Sequence, residues 1–268
     1  MMNKVLLLLV LVVICSVACE TPMTGKKTTM KAVPVEQAEK ITPTKAAPVM
    51  VAKYATSPIS LDGKLDEDVW GNAAVYPTNL AADKAAEGPL EEKGQVRVAW
   101  DDEFLYVGIV YMDSDVNAEG EEDEMMHFNL GDVAELFLKQ ADSPYYWEMY
   151  ATPRGKKSTL WFPGRGRFGL PGAINYTSGL QVAAQIDGTL NDWMDKDKSW
   201  SAEMAIPVKD LKAYGADFGP GSDWRILVAR YNYSTGLSVI GPEYSMTPAL
   251  SRTFFHLTDE YAVLKLEK

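Results

Sequence analysis

"QVRVAWDDEFLYVGIVYMD", residues 95 to 113, decides how the chain folds. Val96, Val98 and Trp100 alternate along one face, the acidic DDE interrupts, and Leu105, Val107, Ile109 and Tyr111 resume the same alternation. Successive side chains of a strand point to opposite faces, so this spacing predicts an antiparallel hairpin packed on one side. Outward from it, DVAELFLK, YYWEMYAT, LQVAAQID, SWSAEMAI, WRILVARYNYS and YAVLKLE are further strand candidates, with Gly, Pro, Asn or Asp between most of them. Only PVKDLKAYG and LDEDVWGNA read as helix, each a turn or two long. The expected fold class is all-β, a β-sandwich of antiparallel strands with one or two short helices.

The chain has 268 residues, 47% hydrophobic and 10% aromatic, enough for one sizeable core. Its formal net charge of −11 argues against a nucleic-acid or anionic-membrane surface as partner. Neutral polymers and cations stay open. Near the start, Lys4 precedes an apolar run from Val5 to Ile14 that is too short to span a bilayer, and Ser16-Val17-Ala18 stands before Cys19. This stretch resembles a bacterial lipoprotein signal, in which the cysteine is lipidated and becomes the new N-terminus. The expectation is a signal peptide over residues 1–18, lipidation at Cys19 and a protein anchored by lipid to the bacterial cell envelope, on its periplasmic face or the cell surface. A plain secretory signal is the alternative. Cys15 leaves with the signal, so neither cysteine catalysis nor a disulfide framework is expected. Residues 20 to 50 carry no aromatic side chain, which makes 19–50 a flexible tether and 51–268 the folded domain.

Two strands place a glutamate among apolar and aromatic neighbours. In DVAELFLK, Glu135 shares a face with Val133 and Phe137; in YYWEMYAT, Glu148 shares one with Tyr146 and Tyr150. An unpaired charge there is costly, so each needs a partner. Carboxylate and phenol groups together suit a sugar, whose hydroxyls take polar partners and whose C–H faces take rings. An internal ion pair with Arg230 or Arg97 is the alternative, and it binds nothing.

ISLDGKLDEDVWGNA, VRVAWDDEFLYVGIVYMDSD, GDVAELFLK, YYWEMYATPRG, WSAEMAIPVKDL, WRILVARYNYS and FFHLTDEYAVLKL, in that order, resemble the family 9 carbohydrate-binding modules and their stand-alone bacterial relatives. The resemblance covers residues 53 to 268 and implies non-catalytic binding of an oligo- or polysaccharide, in polysaccharide capture or degradation. Within the family the sugar lies between two tryptophans. Their positions fall here at Phe128 and at Tyr244 or Met246, and this departure leaves cello- or xylo-oligosaccharide specificity unassigned. Glu135 matches a polar residue of the family's site, and Glu148 stands where better-studied members carry an arginine that Arg154 or Arg230 would replace. Trp161, in the Gly- and Arg-rich STLWFPGRGRFG, is read as an exposed stacking ring or as a cap over the sandwich. LDGKLDEDVW is read as structural, with Leu65, Val69 and Trp70 anchoring a short helix on the core.

The acidic run of Asp113, Asp115, Glu119, Glu121, Glu122, Asp123 and Glu124 offers oxygen ligands for Ca²⁺, which several members of the family bind structurally; a solvated loop is the other reading. Two further functions stay open: glycoside hydrolysis with Glu135 and Glu148 as acid and base, and a haem-binding sandwich of an electron-transfer system using Met126, Met246, His127 or His256.

Overall fold

A computed structural model describes residues 46–164 and 176–268. The signal segment, Cys19, the tether up to residue 45 and most of the Gly- and Arg-rich stretch lie outside the described residues. Twelve strands follow one another among those described: β1 (Val49–Tyr54), β2 (Tyr76–Pro77), β3 (Gly94–Trp100), β4 (Phe104–Met112), β5 (Val133–Gln140) and β6 (Tyr146–Ala151). β7 (Lys157–Phe162), β8 (Gln181–Asp187), β9 (Ser199–Pro207), β10 (Trp224–Asn232), β11 (Glu243–Thr247) and β12 (Ala262–Glu267) complete the set. Two short helices, α1 (Asp68–Asn72) and α2 (Val208–Leu211), accompany them.

The strands form one path, β7-β6-β5-β10-β12-β1-β3-β4-β9-β8, with β11 beside β10 and β2 beside β3. The parallel pairing of β1 with β12 joins its two halves, which pack as a β-sandwich. Val96, Val98, Ile109 and Met204 from one layer meet Leu136, Trp147, Val228 and Leu264 from the other in a common apolar core. The opening hairpin is β3 with β4, Val98 facing Val107. Its turn is closed by Asp101, whose carboxylate accepts from the backbone N–H groups of Glu103 and Phe104, both at 2.7 Å.

The LDGKLDEDVW segment is pinned from below by Glu203 of β9. One of its oxygens accepts from the amides of Asp62 and Gly63, each at 3.0 Å, and the other from the Trp70 indole at 3.0 Å. Gly63 has φ +85°, and a Cβ there would meet the Ala184 backbone at 2.6 Å, so only glycine lets the turn lie flat on β8. Trp70 is then buried on the outer face of this layer with Ala99, Tyr106 and Ala205, with Leu65 and Val69 packed around them.

One buried cation joins the layers. Arg230 of β10 points inward, fully buried, and donates to Asp113 Oδ2 at 2.8 Å and to the Met112 carbonyl at 2.9 Å, with its guanidinium 4.8 Å from the Tyr111 ring centroid. The acidic run therefore does not converge. Asp113 and Asp115 are buried and held by Arg230 and by the Thr235 amide, while Glu119, Glu121, Glu122 and Asp123 are exposed. Among the described residues, no group of three or more His, Cys, Asp or Glu side chains is placed to hold a metal ion, so the residues present do not fit a structural Ca²⁺.

Four elements differ from the reading of the sequence, among them the two-residue β2, for which no strand was expected. β1 begins at Val49, just before the expected start of the domain at residue 51. β7 occupies a stretch read as loop, and β11 one for which no strand was expected.

Loss of the Glu203 anchor should be felt by the whole fold. In Glu203→Gln, one of the three donors would face an amide N–H₂ instead of an oxygen. Burial pushes the Glu203 pKa up to about 7, so unfolding in urea at about pH 8, where it is ionised, should show a loss of about 1.5–3 kcal/mol, the range for hydrogen bonds to a charged group. An unchanged midpoint would mean that the segment is held by packing alone.

Candidate functional site

Alternation along five neighbouring strands builds one outer face. Glu135 of β5 lies opposite Tyr150 of β6 and Ala229 of β10, and Glu148 of β6 lies opposite Phe137 of β5 and Leu160 of β7. Tyr231 of β10 faces Tyr244 of β11 in the same register. Glu135 and Glu148 are thus diagonal neighbours on adjacent strands, within reach of one another. The remaining outer positions are apolar or aromatic: Val133, Phe137, Tyr146, Leu227 and Met246 form a second core with Leu250, Phe255, Leu257 and Tyr261 of the segment that returns across the sheet before β12.

That segment and the turn around Phe128 leave a cleft of about 380 Å³ over the two glutamates. Glu135 and Glu148 form its floor with Tyr231 and Tyr244, and Phe128, Thr253, Phe254, Phe255 and His256 form its walls. The rings are mutually braced: Phe128 lies 5.9 Å from Tyr231, Tyr231 lies 4.8 Å from Tyr244 at 82°, and Tyr244 lies 6.1 Å from Phe255. Phe254 stands out at the rim, 46% exposed, beneath the Arg252 guanidinium. Tyr244 and Thr253 also line a second basin of about 510 Å³ with Lys84, Glu91 and Ile240, so the groove continues beyond the cleft.

The carboxylates are buried without a cation. Glu135 is 2% exposed and Glu148 4%, and neither Glu135 Oε1 nor Glu148 Oε2 has a hydrogen-bond partner among the described residues. The other oxygen of Glu148 accepts from the Tyr150 hydroxyl. His256 Nε2 is 3.9 Å from Glu148 Oε2, and its Nδ1 is hydrogen-bonded to the Tyr146 hydroxyl at 2.9 Å. Burial, and then the neighbouring Glu148, hold the Glu135 carboxyl well above the usual carboxylate range. Burial likewise pushes Glu148 up to about 7, with the Tyr150 hydrogen bond pulling the other way. Burial lowers the His256 pKa, which favours the neutral imidazole. At neutral pH the described lining of the cleft therefore carries no fixed positive charge, holds at least one proton on its glutamates, and offers rings beside polar oxygens that can donate or accept.

Residues 61–214 match the family model described as carbohydrate family 9 binding domain-like. The chain belongs to this family. The family is non-catalytic and carbohydrate-binding, so the two glutamates are not an acid–base pair for glycoside hydrolysis. The fold is also similar to that of a putative carbohydrate-binding protein from Bacteroides uniformis, with TM-score 0.58 at 14% identity, covering 83% of this chain and 100% of the other. A family 9 carbohydrate-binding module from Caldicellulosiruptor kristjanssonii was solved with cellotriose (TM-score 0.54, 13% identity, 81% of this chain and 93% of that one) and with glucose (TM-score 0.54, 12% identity, 81% and 95%). Comparison with curated proteins returned no match.

Within this family 9 domain, the structure brings together four of the residues singled out from the sequence. Phe128, Glu135, Glu148 and Tyr244 all line the cleft, with Phe128 and Tyr244 on either side of Tyr231. Three others lie elsewhere. Arg230 is one residue out of phase with Tyr231 and points to the inner face, so it is not the partner of Glu135. Arg154 donates through Nε to the Ala118 carbonyl at 2.6 Å, away from the cleft lining. Trp161 lies on β7 opposite Trp147, on the inner face; it stacks 5.2 Å from Tyr214 at 17° and is half-buried rather than a free loop ring. The lining has His256 but no methionine or lysine, so it offers no Met–His or Met–Lys pair for haem. Tyr231, Thr253, Phe254 and Phe255 escaped the sequence reading of the site, and His256 entered it only as a candidate haem ligand. The doublet FFH between polar residues was a signal for them, because one of two adjacent phenylalanines must face away from the core.

The Glu148 shift has a sign that stability measurements can read. Its folded pKa of about 7 exceeds the ordinary 4.5, so the stability it contributes is full below 4.5 and is lost as pH rises through about 7. Thermal melts of Glu148→Gln should show a smaller decline between about pH 5 and pH 8 than the parent, by on the order of 2 kcal/mol. Equal declines would place Glu148 in the ordinary carboxylate range.

Proposed function

We propose that the cleft over Glu135 and Glu148 is the site at which this family 9 domain binds an oligo- or polysaccharide. The observation that carries the reading is the pairing of two buried carboxyl groups, each with an unpartnered oxygen, with the rings of Phe128, Tyr231, Tyr244 and Phe254 in one cleft. Sugar hydroxyls supply donors and acceptors for such oxygens, and sugar C–H faces stack on rings. The cleft volume falls within the range of about 300–1,000 Å³ in which small ligands are held. Continuation of the groove past Tyr244 and Thr253 supports a chain of sugars rather than a single ring. The sugars held by the two similar Caldicellulosiruptor structures support a saccharide ligand as well.

In this reading the protein captures polysaccharide at a bacterial envelope, on its periplasmic face or the cell surface, with Cys19 lipidated and the residues between it and β1 as tether. The support is the Lys4-to-Cys19 pattern alone. Cys19→Ala should move the protein from the detergent phase to the aqueous phase in Triton partitioning, since buried acyl chains hold such a protein on the membrane. Identical partitioning of mutant and parent would remove the anchor from the proposal.

Calorimetry of the full chain against cellotriose and related oligosaccharides tests the site. Phe128→Ala and Tyr244→Ala should each weaken binding by about 0.5–1.5 kcal/mol, and Glu135→Gln by about 1–3 kcal/mol. Trp161→Ala should leave affinity unchanged, because its ring is on the other face of the sheet. Loss of binding in Trp161→Ala with none in Phe128→Ala would relocate the site.

A further inference from the structure

We propose that the cleft selects a sugar bearing a free ammonium group, an amino sugar unit within an oligosaccharide, over the neutral sugar of the same shape. The inference rests on the sugar-binding reading above and assigns its ligand class. Its basis is an imbalance of partners. Around Glu135 and Glu148 stand Tyr150 and Tyr146 from β6, Tyr231 from β10, Tyr244 from β11, and His256 and Tyr261 from the closing segment. None of these brings a permanent positive charge. Arg230, the cation nearest in sequence to this face, is already bound inside by Asp113, and Arg252 lies outside the lining, over the Phe254 ring.

Glu135 and Glu148, both more than nine-tenths buried, line one cleft, and one oxygen of each has no hydrogen-bond partner among the described residues. A hydroxyl can satisfy one of them with one proton. An ammonium carries three donors on one compact centre and can reach both. It also gains from the ring faces of Phe128, Tyr231 and Tyr244, whose quadrupoles attract a cation, and from charge-assisted hydrogen bonds of about twice the neutral strength. An N-acetyl group carries no charge, offers one N–H donor in place of three, and adds the bulk of an acetyl group.

The step balances in protons. A glutamic acid O–H in the free cleft meets R–NH₃⁺; the carboxyl ionises, its proton passes to the buffer, and a carboxylate–ammonium pair remains. Binding should therefore release protons, and the calorimetric enthalpy should vary with the ionisation enthalpy of the buffer. The neutral sugar should show no such dependence.

Three trisaccharides that differ only at C2 provide the test: cellotriose with hydroxyl, the β-1,4 glucosamine trimer with ammonium, and its N-acetylated form. With the full chain at about pH 6, where the sugar amine is an ammonium and the glutamates are protonated, and about 0.1 M salt, the glucosamine trimer should bind about tenfold more tightly than cellotriose, with proton release, and the N-acetylated trimer more weakly than either. Glu135→Gln and Glu148→Gln should each cut the advantage of the glucosamine trimer over cellotriose, both measured on the same variant, to within about twofold. Melting curves confirm that each variant is folded. Cellotriose binding as tightly as the glucosamine trimer would overturn the inference and leave the sugar site standing. A glucosamine advantage that survives both substitutions would also overturn it, since the attraction would then come from the net negative charge of the chain. Failure of all three trisaccharides to bind would remove the sugar reading itself.

Discussion

The buried pair of Arg230 with Asp113 sets the terms for the rest of the domain. It crosses the sandwich, from β10 in one layer to the end of β4 in the other, and is completed by the Met112 carbonyl and the Tyr111 ring. Breaking such a pair strands the remaining charge in the core, at a cost of about 3–5 kcal/mol. Strand alternation carries the consequence outward. With residue 230 locked inward, 229 and 231 must face outward, so Ala229 opens space beside Glu135 and Tyr231 becomes the floor ring of the cleft. The same constraint turns Arg230 away from the glutamates.

Much of the sandwich was legible in the sequence because its strands are amphipathic in the simplest way. The two-residue period of QVRVAW and FLYVGIVYM places Val96, Val98, Val107 and Ile109 in the core and gives the hairpin directly. It also put Glu135 and Glu148 on the faces they occupy. What remained hidden depends on tertiary neighbours. KSTLWF reads as loop by its flanking glycines, yet β6 offers an edge to pair with, and Trp161 finds Tyr214 from the α2 region, some fifty residues away in the chain, to stack on. EYSMT is short and polar enough to pass for a turn, and becomes β11 because the second half of β10 has no other neighbour on that side. The choice between Arg230 and no partner for Glu135 required register: a one-residue shift reverses the face.

Scaffold and site are specified by different residues. The LDG turn, Trp70 and Glu203 form a closed unit whose donors and acceptors satisfy one another, far from the cleft in sequence and on the other layer of the sandwich. They lie within the stretch that matches the family model and outside the lining of the cleft. The cleft is assembled from β5, β6, β10, β11 and the segment before β12, most of it beyond the residues that match the family model. Membership therefore fixes the fold and supports a saccharide ligand, while in the proposed reading the particular ligand is a matter for Phe128, Glu135, Glu148, Tyr244 and the Phe254–Phe255 doublet.

The glutamate pair also has an energetic side. An apolar side chain at position 135 or 148 would join Phe137, Tyr146 and Leu227 in the second core without any charge to desolvate, and exchanges of buried ionic groups for packed apolar ones are often neutral or stabilising by about 1–4 kcal/mol. As built, the carboxyls lean on the Tyr150 hydroxyl and on each other's protonation, and two oxygens go without donors. Such a surface is poorly satisfied when the cleft holds only its own side chains. A ligand that brings donors improves it, so binding energy is gained from groups that the empty fold leaves strained. That is the opposite of an internal ion pair, in which the same carboxylates would already be satisfied and the cleft would have little left to offer a guest.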